Sequence, residues 1–292
     1  MESVGQGWMN PDEDVAQVSI SVLDPQSYAL MEAVFSETRP AVWEAAVRRC
    51  NPSRRRKGYR RFIESLSDQN KVAYIAVKCP DIEMCEYAAT RLEDVSMLKD
   101  MYEHEDDERY RDRILQLARD PEFVSGELAS MSQEGLEAFF SRIHEAYIAR
   151  RIYDLLPEDM HVARELAEKR CIELSDEREL FAALHDDLPL QFKDDIIRCL
   201  TEKNARDRVK PSADDVTVLC DIARQEGEES PARTLLDRTY FCWKCGTKLI
   251  KAGTFWDKSV HHAYSDDTSQ KWTLLECPNC GYETQEKVLR WL

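Results

Sequence analysis

The sequence predicts a mostly α protein, an α-solenoid of short helix hairpins followed by a small β unit. Three observations predict it. Only 9 of the 292 residues are glycine while 33% are charged, a balance that favours helices over a turn-rich β fold. Helical segments recur at a nearly constant interval through the first two-thirds of the chain. The last fifth carries two Cys-x-x-Cys-Gly motifs, Cys242 to Gly246 and Cys277 to Gly281.

The interval is read from segments that close a helical pattern on an apolar residue. They end at Cys50, Leu92, Leu117, Ile143, Ile172 and Leu200, and from Leu92 on the spacings are 25, 26, 29 and 28 residues. Each closing segment from Leu92 on follows a second short helical one: VAYIAVK, SMLKDMYEH, EFVSGELAS, AYIARRIYDLL and ERELFAALHDD. Short polar or proline-containing breaks (CPD, EDD, LPED) separate the two. Phe192, Ile196, Cys199 and Leu200 fall at i, i+4, i+7 and i+8, one apolar face of a helix. A hairpin this short cannot bury such a face alone, and stacking on its neighbours makes a continuous core.

SDQNKVAYIAVKCPDIEMCEYAATRL resembles a short HEAT-like repeat: a helix, a tight turn, then a helix with small residues facing inward. The expected fold is thus a right-handed α-solenoid over residues 21–225, in repeats shorter than the family's usual ~40–47 residues. The resemblance implies protein binding. The expected domains are an acidic N-terminal tail (1–20), the solenoid (21–225), a linker (226–238) in which ARTLLDR alternatively reads as a short helix docking the unit that follows, and that C-terminal unit (239–292). Cys50 and Leu92 are 42 positions apart, which leaves room for an insertion at 52–63, outside the core, that projects as a loop on one rim of the stack or extends a helix.

That insertion contains RRRKGYRR, residues 54–61, in a chain of net charge −16. Arg54, Arg55, Arg56, Lys57, Arg60 and Arg61 are the candidate partner-binding residues. An acidic partner would accept them, and so would the protein's own acidic segments, for instance EHEDDE at 103–108. Residues 238–292 carry 8 basic and 6 acidic residues, so the acidic excess lies in the preceding part. A surface of that sign disfavours nucleic-acid binding by the helical body.

The ten cysteines sort by context. Cys50, Cys171 and Cys199 fall at the ends of second helices, where a small apolar residue is buried. Cys79, Cys85 and Cys220 are isolated, and all six read as structural thiols. Cys242, Cys245, Cys277 and Cys280 differ, because two pairs at this spacing can supply four thiolates to one Zn²⁺. Such a shell is closed and structural, and the glycine after each pair permits the positive φ of a knuckle. TKLIKAG and QKWTLLE between them read as strands. The region 239–288 resembles the zinc-ribbon family, which implies one structural zinc.

In the intervening loop, His261 and His262 read as surface residues, since the four-thiolate shell is already complete. Asp266-Asp267 is similar to the acidic pair in the ribbons of cleavage-stimulating elongation factors of RNA polymerase. That family has Asp-Glu, and Tyr264 stands where it has arginine.

No phosphate-binding glycine loop and no GxSxG are present. HEAYI at 144–148 has Ile148 where a zinc-protease helix needs histidine, and His104, His144, His161 and His185 share no face. No catalytic residue is assigned. The N-terminus has neither a basic nor an apolar run, and no stretch approaches 18 apolar residues, so neither a signal peptide nor a membrane span is expected. The expectation is a cytoplasmic, non-enzymatic scaffold that binds a protein on its solenoid surface, with the ribbon as a second contact. The alternative is a transcription- or RNA-associated factor whose ribbon and basic loop touch RNA polymerase or nucleic acid.

Overall fold

A computed structural model describes residues 4–207, 210–227, 229–257 and 270–287. The described residues are mostly helical, with sixteen α-helices and a small antiparallel sheet near the C-terminal end. The chain divides into two compact units, Met1–Ala167 and Glu168–Leu292. No helix among the described residues is long and apolar enough to cross a membrane.

The first unit begins with a 3-10 turn (Val4–Met9), then α1 (Glu13–Val22), α2 (Tyr28–Ser36), α3 (Pro40–Arg49), α4 (Arg56–Ser65), α5 (Gln69–Lys78) and α6 (Ile82–Ala89). It continues with α7 (Ser96–Glu103), α8 (Glu108–Leu117), α9 (Pro121–Ser130), α10 (Gln133–Ser141) and α11 (Ala146–Leu155). The expected hairpin partners α5 and α6 pack together, as do α7 and α8. Aspartates start many of these helices. Asp12, Asp68, Asp81, Asp107 and Asp120 each accept first-turn amides as N-caps, satisfying donors that have no partner within the helix. Part of the negative charge is therefore structural.

Helix ends explain why apolar residues recur there. Leu23, Cys50, Cys79, Ala118 and Leu156 are C-caps in extended conformation, and all five are buried. With so few glycines, these helices stop by turning an apolar side chain into the core rather than through a left-handed glycine.

Two expectations for this unit are corrected. Residues 1–20 are not a tail where described: Trp8, Ala16 and Ile20 are buried, and α1 packs on α3. Asp12 caps α1, with Glu13 and Asp14 in its first turn, so the acidic residues favour that helix electrostatically. Arg39 then ties the start of the chain down by donating to Trp8 O (2.8 Å) and Asn10 O (2.6 Å). Nor does 52–63 project outside the core. It runs into α4, whose Tyr59 and Ile63 are fully buried, because the cations between them occupy the helix's other faces.

The second unit holds the second half of α12 (His161–Leu174), then α13 (Glu177–Leu184), α14 (Leu190–Asp207), α15 (Ala213–Glu226) and α16 (Pro231–Arg238). α13 packs on α14, and α16 packs on both α14 and α15. Phe192, Ile196 and Leu200 are buried, the face expected from their spacing. The expected linker 226–238 is corrected in part: α16 occupies 231–238 with Ala232, Leu235 and Leu236 completely buried. β1 (Ile250–Asp257), β2 (Gln270–Glu276) and β3 (Glu283–Lys287) form an antiparallel sheet in sequential order, with a register shift between Lys251 and Gly253.

Candidate metal centre and basic surface

The end of α16 delivers the chain to the first cysteine pair. Tyr240 has φ 66° and follows the C-cap Thr239. Its N–H donates to Asp237 O (3.2 Å), and Phe241 N–H donates to Leu236 O (2.8 Å). This is a Schellman closure with tyrosine where glycine is usual.

Two knuckles follow with matching backbone bonds. Gly246 N donates to Cys242 O (2.7 Å) and Gly281 N to Cys277 O (3.0 Å). Cys242 N donates to Thr247 O (2.9 Å) and Cys277 N to Tyr282 O (2.7 Å). Gly246 and Gly281 have φ of 72° and 69°, where a side chain would strain the turn. β1 and β2 pair Ile250 with Glu276, which brings the second pair of cysteines to the first.

The four sulfurs lie within 4.8 Å of one another. Cys242 and Cys280 Sγ are 3.5 Å apart, Cys245 and Cys277 Sγ 3.4 Å, and Cys245 and Cys280 Sγ 3.7 Å. Disulfide sulfurs would sit at about 2.05 Å. Four thiolates at about 2.3 Å from a tetrahedral ion lie about 3.8 Å from one another, so the donor set fits one metal ion. The cluster is buried at Cys242 and Cys277 and exposed at Cys280. Hydrogen bonding to Thr247, whose Oγ1 lies 3.3 Å from Cys245 Sγ, draws the Cys245 thiol down to about 6. Burial holds Cys242 above its ordinary value.

Helices α15 and α16 seat both knuckles. The Cys220 thiol, on α15, donates to Cys242 O (3.6 Å), and a Cβ at Gly246 would lie 3.4 Å from Val216 Cγ1. Arg224 donates to Lys244 O through Nε (3.3 Å) and a terminal nitrogen (3.1 Å). On α16, Asp237 accepts from Tyr282 Oη (3.0 Å) and Thr284 Oγ1 (3.3 Å). Arg233 lies over the rings of Trp243 (5.2 Å) and Tyr282 (5.8 Å).

The structure splits the six candidate cations. Arg56 pairs with Asp81 (2.8 Å) and Glu83 (2.6 Å). Arg55 donates to Gln26 O (3.0 Å) and lies 5.5 Å over the Tyr28 ring. Arg60 lies over the Tyr87 ring at 5.2 Å and 3.9 Å from Glu83. Arg54, Lys57 and Arg61 are exposed and have no carboxylate partner among the described residues. The internal acceptors are Asp81 and Glu83 rather than the 103–108 segment.

Of the other cysteines, Cys50, Cys79, Cys85 and Cys220 are buried, while Cys171 and Cys199 are partly exposed. Burial pushes the Cys50 thiol up to about 12, which makes it unreactive.

One arrangement escaped the sequence reading. Asp215 Oδ1 lies 2.9 Å from His185 Nε2, and its Oδ2 accepts from Ser212 Oγ (2.6 Å). Burial alone would raise the Asp215 carboxyl, but the bonds from Ser212 and His185 outweigh it and hold it below its ordinary value. The aspartate stands between serine and histidine. A nucleophile needs the base beside the hydroxyl, so Ser212 and Asp215 act as the capping box of α15. His261, His262, Tyr264, Asp266 and Asp267 lie outside the described residues. No protein-family model matches this chain, and no curated protein or solved structure matches it.

Proposed function

We propose that the protein is a non-enzymatic interaction scaffold of short HEAT-like hairpins, a right-handed α-solenoid carrying a zinc ribbon. The observation that carries the reading is the division of the basic run. Arg55, Arg56 and Arg60 engage neighbouring side chains and backbone, while Arg54, Lys57 and Arg61 face solvent without a carboxylate. Three uncompensated cations on a chain of net charge −16 give a local surface of opposite sign, suited to an acidic protein partner. Zn²⁺ is the ion a four-thiolate set favours. Held by Cys242, Cys245, Cys277 and Cys280, it would fix the ribbon on α15 and α16 as a second contact surface. Among the described residues none of the ten cysteines is in a disulfide, which suits a reducing, cytoplasmic setting.

The same exposed cations, in a chain that also carries a ribbon, support a second reading, a transcription- or RNA-associated factor. One experiment separates the two. Arg54, Lys57 and Arg61 are changed together to Glu, and partner capture and RNA binding are measured at low and high salt. The scaffold reading expects a captured protein to be lost in the variant, with no RNA binding by the wild type. Salt-dependent RNA binding abolished by the variant transfers the assignment to the second reading. Unchanged capture removes the basic face from either.

A further inference from the structure

A separate cleft in the first unit, of about 340 Å³, opens between α4, α6, α11 and the segment after α8. Its walls present the guanidiniums of Arg60, Arg119 and Arg151 beside the rings of Tyr87 and Tyr147. We propose that this cleft binds a phosphate monoester, gripped chiefly by Arg119 and Arg60.

The argument is one of pairing. The cleft also contains Glu83 and Glu86, and both are engaged from within the protein. Glu86 accepts from Tyr147 Oη (2.7 Å) and from Arg151 (3.1 Å). Glu83 accepts from Arg56 (2.6 Å). With Arg56 close to Glu83, the exposed contact from Arg60 at 3.9 Å contributes little, and Arg60 keeps donors for a ligand. Arg119 is exposed and has no carboxylate partner among the described residues. Arg151 Nε is buried without a hydrogen-bond partner. Three guanidiniums thus stand against two carboxylates, Glu83 already engaged by Arg56 and Glu86 by Arg151, and donors remain on Arg60, Arg119 and Arg151, an excess that favours an anion over a cation.

Arginine's planar fork matches the paired oxygens of a phosphate, and charge-assisted bonds of this type are the strong ones. The volume, near the lower end of small-ligand sites, exceeds what a phosphate alone needs and admits its carrier beside the tyrosine rings. A monoester is preferred to a diester because its second charge can engage two guanidiniums on separate walls. The carrier is either a free small molecule or a phosphorylated side chain.

The test is calorimetry on the full chain at low salt, with four probes: inorganic phosphate, phenyl phosphate, a blocked phosphotyrosine tripeptide and a single-stranded oligonucleotide. Phenyl phosphate or the tripeptide is expected to bind, with Arg119→Ala weakening it about tenfold, the loss of one charge-assisted bond. Tighter binding of the tripeptide assigns the site to a phosphorylated partner, and tighter binding of phenyl phosphate assigns it to a small molecule. Among the described residues Arg119 makes no ion pair, so the variant should melt with the wild type and its loss of binding should not reflect unfolding. The proposal is overturned if no monoester binds at millimolar concentration, if Arg119→Ala binds like wild type, or if the oligonucleotide binds tighter and depends on Arg119. This result is independent of capture through Arg54, Lys57 and Arg61, none of which lines the cleft.

Discussion

Arg56 Nε lies 2.8 Å from Asp81 Oδ2, and Asp81 Oδ1 at the same time accepts from the amides of Glu83 (3.1 Å) and Met84 (3.4 Å). A cation from the basic run thus completes the N-cap of α6, on an aspartate only 4% exposed. Removing Arg56 leaves a buried carboxylate without its cation. Arg56→Ala is therefore expected to destabilise the protein by about 2–4 kcal/mol, read as a lower denaturation midpoint. The Arg54, Lys57 and Arg61 triple reversal should stay within about 1 kcal/mol of wild type. Equal losses from the two variants would refute the division of the run.

The same pair shows how far the sequence could be read. The helix pattern was legible because apolar spacing is a local signal, and the four cysteines because ligand spacing is fixed by coordination geometry. The role of Arg56 was not legible, because its partner is 25 residues away and many other carboxylates were available. α4 was mistaken for an excursion because its cations obscure the spacing of Tyr59 and Ile63. α16 was legible only as an alternative to linker, in ARTLLDR, because its end is closed by Tyr240 rather than glycine, which removes the usual stop signal.

A pH effect follows from Asp194 on α14. Burial, reinforced by the neighbouring carboxylate of Glu226 on α15, raises its carboxyl from 3.8 to about 6. Glu226 is itself held by Ser230 Oγ at 2.6 Å. The folded state therefore binds the proton more tightly than the unfolded state does, and this contribution to stability declines as pH rises from about 4 to about 6. Asp194→Asn should be more stable than wild type at pH 7.5 by about 1–2 kcal/mol, solvent screening allowed for, and should flatten the profile across that window. Urea melts between pH 4 and 8 measure this. A variant that tracks the wild type throughout would show that Asp194 is ionised without cost.

The contact between Tyr282 and Asp237 links the second knuckle to α16. Burial raises the Asp237 carboxyl despite the hydrogen bonds from Tyr282 and Thr284, so losing one donor leaves it less well satisfied. Tyr282→Phe keeps the ring beside Trp243 (6.0 Å between centroids) and removes only the hydroxyl. A loss of about 1–2 kcal/mol is expected, together with faster amide exchange in α16. Asp237→Asn should cost less than Tyr282→Phe, because a neutral amide tolerates burial better than a carboxylate. The reverse order would mean that the hydroxyl does not support the charge.

Metal removal tests the proposed zinc and the seating of the ribbon together. Protein prepared without chelator is expected to carry one zinc per chain, measured by elemental analysis, and cobalt substitution should give the absorption of a four-thiolate tetrahedral site. Cys277→Ser should abolish that spectrum. Folding and metal binding are coupled in such units, so the variant should also lose the knuckles and the sheet they anchor. The loss should reach α15 and α16, because Gly246 packs towards Val216, Cys220 donates to Cys242 O and Asp237 accepts from Tyr282. Faster hydrogen exchange is thus expected in 213–226 and 231–238. Helices α1 to α11 belong to the other compact unit, and their exchange should be unchanged, so most far-UV helical signal should survive. Zinc-free protein with intact knuckles would refute the metal assignment. Loss of protection throughout α1 to α11 would instead show that the two units do not fold independently.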